Sequence, residues 1–190
     1  MKTVSVNVYS FDELSESAKE KAREWWRNID DRGVSHVLDI FKAEMEEFGV
    51  EVSKFTYSVS WSQGDGAGFD YEVNLPKWLD ATAKEKEHAT IRRLLKDEKI
   101  DAIVRGTQGY NYWYPSHHNN VEVYYGIYVS ARVNQALNRF DEYLIKWTKG
   151  KADELYRRIR GELDYMHSDA YIDKCIRANE YDFDELGRIL

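Results

Sequence analysis

Two stretches of strict alternation flank one glycine-rich octapeptide, and no other feature narrows the possible folds of this chain as much. Before Ser62-Gln63-Gly64-Asp65-Gly66-Ala67-Gly68-Phe69, the apolar residues Phe55, Tyr57, Val59 and Trp61 interleave with Thr56, Ser58, Ser60 and Ser62. After it, Phe69, Tyr71, Val73 and Leu75 interleave with Asp70, Glu72 and Asn74. A period of two belongs to a strand with one buried face, so 50–75 is expected to form a long β-hairpin. Parity then constrains the register. Both apolar stripes fall on odd numbers, and cross-strand partners share a face, so paired numbers must sum to an even value. A two-residue Asp65-Gly66 turn would set Trp61 against Asp70 and send one stripe to the wrong face. A three-residue loop, Gly64-Asp65-Gly66, pairs Gln63 with Ala67 and Trp61 with Phe69, with Gly66 in the left-handed position that such loops favour.

The rest of the chain alternates between helical and strand patterns. Val4, Val6 and Val8 read as a first strand, and Ser10 and Glu13 have the spacing of a capping box. Ala18, Ala22, Trp25 and Ile29, then Val34, Val37, Leu38, Phe41, Met45 and Phe48, recur at helical intervals and predict helices over 15–29 and 34–48, the second stopped by Gly49. Pro76 opens a short helix through Trp78 and Leu79, and 83–98 forms another. A second strand pair is expected over 103–114 and 121–129, joined by the turn residues Pro115 to Asn120. From Asn134 onward the pattern is helical, with Leu137, Phe140, Leu144, Trp147, Leu155, Ile159, Leu163 and Met166 on one stripe. Gly150 either kinks or splits that helix, and Ser168 caps a last one that ends near Asn179. Phe-Asp-Glu-Leu occurs twice, at 11–14 and 183–186, too short a match to argue duplication. The fold class is α+β: a curved antiparallel sheet of about five strands with helices packed on one face and a helical C-terminal part. A length of 190 residues is most simply one domain, 1–190.

Composition excludes several classes of function. A net charge of −7 argues against general nucleic-acid binding, which needs clustered Lys and Arg to displace counterions from phosphates. A single cysteine, Cys175, makes no internal disulfide and completes no thiolate metal site. The N-terminal residues alternate instead of forming a signal-peptide core, and no apolar run is long enough to cross a bilayer, so a cytoplasmic setting and no membrane partner are expected.

Three features carry chemistry. The octapeptide can expose backbone N–H groups as an anion nest, with Gln63 or Asp65 as a ligand contact, or it can be a turn alone. No Gly-Lys-Ser/Thr follows, so it is no phosphate loop of the nucleotide-hydrolase kind. The polar face carrying Thr56, Ser58, Ser60, Ser62, Asp70, Glu72 and Asn74 either lines a wet pocket or faces solvent. In Tyr110-Asn111-Tyr112-Trp113-Tyr114, followed by His117 and His118, Tyr112 and Trp113 can stack a base while a histidine contacts phosphate, or the aromatics can simply pair across strands. The candidate ligand-binding residues are therefore Ser58, Ser60, Ser62, Gln63, Asp65, Tyr112, Trp113, His117 and His118. No catalytic residue, metal site or cofactor is assigned: His117 and His118 are adjacent and point apart on an extended chain, and Glu85 with His88 is a lone Glu-x-x-His where a di-iron bundle needs two. His-Glu-x-x-His and Gly-x-Ser-x-Gly do not occur.

Three segments in order, Phe11-Asp12-Glu13-Leu14-Ser15 with Ala18 and Ala22, the octapeptide 62–69, and Asn179-Glu180-Tyr181-Asp182-Phe183 with Glu185 and Gly187, resemble a family of uncharacterised proteins from tailed phages and prophages that are often labelled antitoxins of toxin–antitoxin stability systems. Gly68 stands where that family usually has Ser. The resemblance implies a virus-encoded protein acting inside a bacterial host. Joined to the residues, it leads to a non-catalytic binding protein that neutralises a host component, either a host defence or toxin protein engaged by an acidic helical face, or a small nucleotide immune signal held beside the hairpin. A homodimer is compatible with either. The rival expectations are an antitoxin that binds a cognate toxin and a nucleotide-cleaving enzyme using Asp65, a hairpin hydroxyl and His117 or His118.

Overall fold

A computed structural model describes residues 7–29, 33–60, 65–82, 86–96, 102–108, 119–125 and 130–190. The chain forms two compact units: a sheet unit, Ser35–Arg160, and a terminal unit made of Met1–Val34 with Gly161–Leu190.

The sheet unit is built on an antiparallel meander of strands β1 (Val50–Ser58), β2 (Gly66–Val73), β3 (Ala102–Gln108) and β4 (Asn119–Tyr125), hydrogen-bonded in that order. Among the described residues the sheet therefore has four strands and not five. Val4 and Val6 of the expected first strand lie outside the described residues, and Tyr9, just after it, makes an isolated antiparallel bridge to Phe183 in the terminal unit. The second strand pair forms, but β4 begins at Asn119, which pairs with Gln108, so two residues expected in the turn belong to the ladder.

The hairpin has the expected parity near its turn and a different register. Ser58 pairs with Gly66, Tyr57 with Ala67 and Phe55 with Phe69, so Phe69 does not face Trp61 and Ala67 does not face Gln63. The ladder stops at Ser58, and 59–65 connect the strands; Trp61, Ser62, Gln63 and Gly64 lie outside the described residues. Gly66 opens β2 with an ordinary strand backbone instead of the left-handed one expected for a three-residue loop, since positive φ among the described residues falls at Gly49, Glu180 and Gly187. Farther from the turn a β-bulge between Val52 and Lys54 changes the pairing to Val52 with Tyr71 and Val50 with Val73. One extra residue switches the face of everything beyond it. That switch lets the even-numbered Val50 and Val52 share a buried face with the odd-numbered Phe55, Phe69, Tyr71 and Val73.

Helices cover that apolar face. Phe41 of α2 (Ser35–Glu47) sets its ring 6.2 Å from Phe55 and 5.3 Å from Phe69. The Tyr71 hydroxyl donates to Thr148 Oγ1 of α5 (Ala131–Met166) at 3.1 Å, and Thr148 donates in turn to the Leu144 carbonyl at 2.7 Å, so this buried polar pair is satisfied. Gly150 does not split α5, which runs unbroken from Ala131 to Met166. Gly49 ends α2 at φ +75°, where a Cβ would stand 2.8 Å from the Lys77 Cβ. Helix α3 (Leu75–Thr82) carries Pro76 in its first turn, where no intrahelical N–H is required, and the Asn74 side chain accepts from the Lys77 N–H at 3.1 Å. Trp78 of α3 is fully buried among His88 of α4 (Lys86–Lys96), Phe140 and Trp147.

In the terminal unit, α1 (Glu16–Ile29) packs against α6 (Asp169–Ala178) around Phe11, Leu14, Ala18, Ala22, Trp26, Ile172, Ile176 and Phe183. The buried stripe of α1 runs through Trp26; Trp25 is only half-buried and Ile29 is exposed, one position off the expected stripe. Ser10 and Glu13 do pair, with the Glu13 carboxylate accepting from the Ser10 N–H and hydroxyl at 2.8 Å each, but they close a single 3-10 turn, Phe11–Glu13, while Ser15 caps α1. Ser168 caps α6 as its spacing predicts. Among the described residues no helix is long and apolar enough to cross a membrane.

Candidate functional site

Of the nine candidate ligand-binding residues, the described structure brings three together. Asp65 Oδ1 accepts from the Ser60 N–H at 2.9 Å, from the Ser60 hydroxyl at 3.1 Å and from the Ser58 hydroxyl at 3.3 Å, and the two hydroxyls lie 3.5 Å apart. Ser62, Gln63, Tyr112, Trp113, His117 and His118 lie outside the described residues. One carboxylate oxygen collecting three donors ties the base of the hairpin connection together, as short polar side chains do in tight turns. It also places a negative charge at that mouth, which favours a hydroxyl-bearing or cationic group over a bare phosphate. Gly66 and Gly68 stand in β2 opposite Ser58 and Thr56, so this part of the octapeptide is ladder and not an anion nest. Among the described residues no group of three or more His, Cys, Asp or Glu forms a metal cluster.

A second site lies in the terminal unit, and the sequence reading did not list it. Its signal was the repeated Phe-Asp-Glu-Leu. Phe11 and Phe183 both enter the core, with ring centroids 6.4 Å apart. Each Asp is held by an arginine: Asp12 accepts from Arg177 at 2.8 Å, and Asp184 from Arg188 at 2.6 Å. The remaining Glu-Leu pairs, Glu13-Leu14 and Glu185-Leu186, both line one groove of about 390 Å³, together with Tyr9, Ala18 and Lys21. Gly187 fixes the second copy in place. It has φ +78°, and a Cβ there would come within 2.0 Å of the Ala18 carbonyl oxygen. The donors of Ser10 hold the Glu13 carboxyl below its ordinary range, and the Arg188 N–H, then its side chain, do the same for Asp184. Both groups are ionised near neutral pH.

The charge of the two units differs sharply. The terminal unit holds 15 of the chain's 34 acidic and 9 of its 27 basic side chains, hence −6 of the total −7. Arginines on its helices answer part of this. Arg23 grips Asp173 with two bonds, of 2.7 and 2.9 Å, which lowers the Asp173 pKa and raises that of Arg23.

Together these features define a mixed helix-and-strand protein whose antiparallel meander is covered by helices on its apolar face, with an acidic unit assembled from the two ends of the chain. The chain belongs to the family described as Domain of unknown function (DUF8835), whose match spans residues 34–169, more than half its length. The match contains the sheet unit and both sides of the octapeptide hairpin, whereas the groove-lining residues fall outside it. No curated protein and no solved structure matches the chain.

Proposed function

We propose that this is a phage-encoded, non-catalytic binding protein that acts in the cytoplasm of a bacterial host and neutralises a host defence or toxin protein. The observation that carries the reading is the segregation of charge into the terminal unit, which leaves the sheet unit at −1. A concentrated field of one sign steers a partner of the opposite sign and sets its orientation. The resemblance to phage proteins labelled antitoxins points in the same direction, because neutralising a protein requires a surface and not a reaction.

The test is affinity capture from bacterial cells, followed by reconstitution of the captured protein's own activity. Inhibition at a stoichiometric amount of this chain is expected; an activity that is unaffected sinks the proposal. A nucleotide signal is the second reading, in which the Asp65 carboxylate beside Ser58 and Ser60 would accept from a ribose hydroxyl and the phosphate would lie away from that charge. Incubation with cyclic nucleotides followed by heat denaturation separates the cases. Intact nucleotide recovered after a rise in melting temperature supports sequestration, altered nucleotide supports the cleaving enzyme, and no thermal shift leaves the protein partner.

A further inference from the structure

We infer that the groove between the two Phe-Asp-Glu-Leu segments is the docking surface for a linear, basic segment of a partner protein that carries an apolar side chain between Arg or Lys residues. The inference rests on the binding-protein reading above and names where the partner docks. Three observations support it. First, the residues of each copy are divided in use: the Phe side chains build the core, the Asp side chains are held by Arg177 and Arg188, and the Glu-Leu pairs line the groove, Leu14 sunk in the core beneath it and Glu185 and Leu186 exposed. A lining that combines the apolar Leu14, Ala18 and Leu186 with the carboxylates Glu13 and Glu185 suits an apolar side chain flanked by cations.

Second, apolar exposure gathers on the same pieces of chain. Leu186 at the rim is 51% exposed, Val8, next to the groove residue Tyr9, is 57% exposed, and Leu190 is 59% exposed. The bridges Tyr9 to Phe183 and Phe183 to Ile189 join these segments. Clustered apolar exposure beside charge marks an interaction surface, whereas scattered single residues do not. Third, the surrounding unit carries nearly all of the net negative charge, so a basic segment is the complementary occupant. Lys21 is the cation of the lining, placing one positive group among these carboxylates.

The test uses the full chain and an arrayed library of short peptides in which Leu, Ile, Phe or Val is flanked by Arg and Lys, beside the same library with Glu and Asp in place of the cations. The basic library should give binders whose affinity falls as salt rises. Glu185→Lys combined with Leu186→Asp should weaken them by about tenfold or more. Both positions are exposed, so the melting temperature should hold, and Ile40→Asp, exposed on α2, should change nothing. Equal binding of the acidic library, no binders in either library, or full affinity in the double variant would each overturn the inference. So would a concentration-dependent dimer that Leu186→Asp dissolves, because the occupant would then be a second copy. If the double variant loses the peptides yet still inhibits its host target, the groove alone is wrong and the neutralising function stands.

Discussion

The two units of this protein solve the same problem, closing a core, by opposite means. The sheet unit is nearly neutral and is held by apolar area: Phe41, Phe69, Trp78, Phe140 and Leu144 are all almost fully buried. The terminal unit gathers an excess of carboxylates from the two ends of the chain, and its smaller core is bordered by arginine contacts between distant segments. Arg23 bonds Asp173, Arg27 bonds Asp169, and Arg177 bonds Asp12 while standing 5.3 Å over the Phe11 ring. Like charges destabilise a compact state. A surplus of this kind is a poor way to build stability and a good way to present a charged surface. Apolar burial belongs to the unit that the family match covers, and the charged surface to the unit mostly outside it.

The largest test of this contrast is Phe41→Ala. Its ring meets Phe55 and Phe69 at the centre of the sheet unit, so removal should cost about 3–5 kcal/mol, read as a lowered urea midpoint. A loss below about 1 kcal/mol would mean that the helix α2 does not seal the sheet. Next is Gly187→Ala. Positive φ and a Cβ pressed on the Ala18 carbonyl should together cost about 3 kcal/mol and displace Glu185 and Leu186 from the groove. A Gly187→Ala protein as stable as the parent would remove the wall that the groove depends on.

These two residues also show what was legible in sequence. Phe41 was placed correctly because helical spacing is local, and each step of the stripe is visible within a few residues. The hairpin was legible for the same reason, and its shifted register has a specific origin. Val50 and Val52 fall on even numbers and Phe55 on an odd one, so the bulge at Ser53 is written in the phase change of the alternation. The end of the ladder is not written there, since Val59 continues the stripe; the Asp65 side chain reaching Ser60 accompanies the break instead. The groove was hidden for a different reason. Its two halves lie about as far apart in sequence as this chain allows, and a repeat of four residues carries no instruction to associate until Phe11 and Phe183 meet in one core.

A smaller effect separates charge from packing in the terminal unit. Asp173→Asn removes half of the two-bond grip by Arg23 and should cost about 1–2 kcal/mol at neutral pH. The sign with pH is fixed by the lowered carboxyl pKa. The pair's contribution is fully present above the ordinary value of 3.8 and is lost as pH falls below it, through the folded-state value. Parent and variant should therefore converge in stability under strong acid, as measured by denaturation at a series of pH values. A constant difference across that range would assign the loss to packing and not to the ion pair.

The smallest expected effect is at the hairpin mouth. Asp65→Ala removes an acceptor shared by three donors from Ser58 and Ser60, but Ser60 is exposed and water replaces most of what is lost, so the cost should be about 0.5–1 kcal/mol. The informative reading is local. Hydrogen exchange at the Ser60 amide should quicken, while the amides of Phe55 and Phe69, inside the ladder, should be unchanged. If the exchange of Phe55 and Phe69 quickens as well, Asp65 holds the register of the whole hairpin, and stability in the sheet unit is then not a matter of apolar burial alone. If none of these amides responds, the strands close their own connection. The Asp65 carboxylate is then dispensable to the fold, and its place beside two serine hydroxyls becomes the strongest reason to pursue a ligand at that mouth.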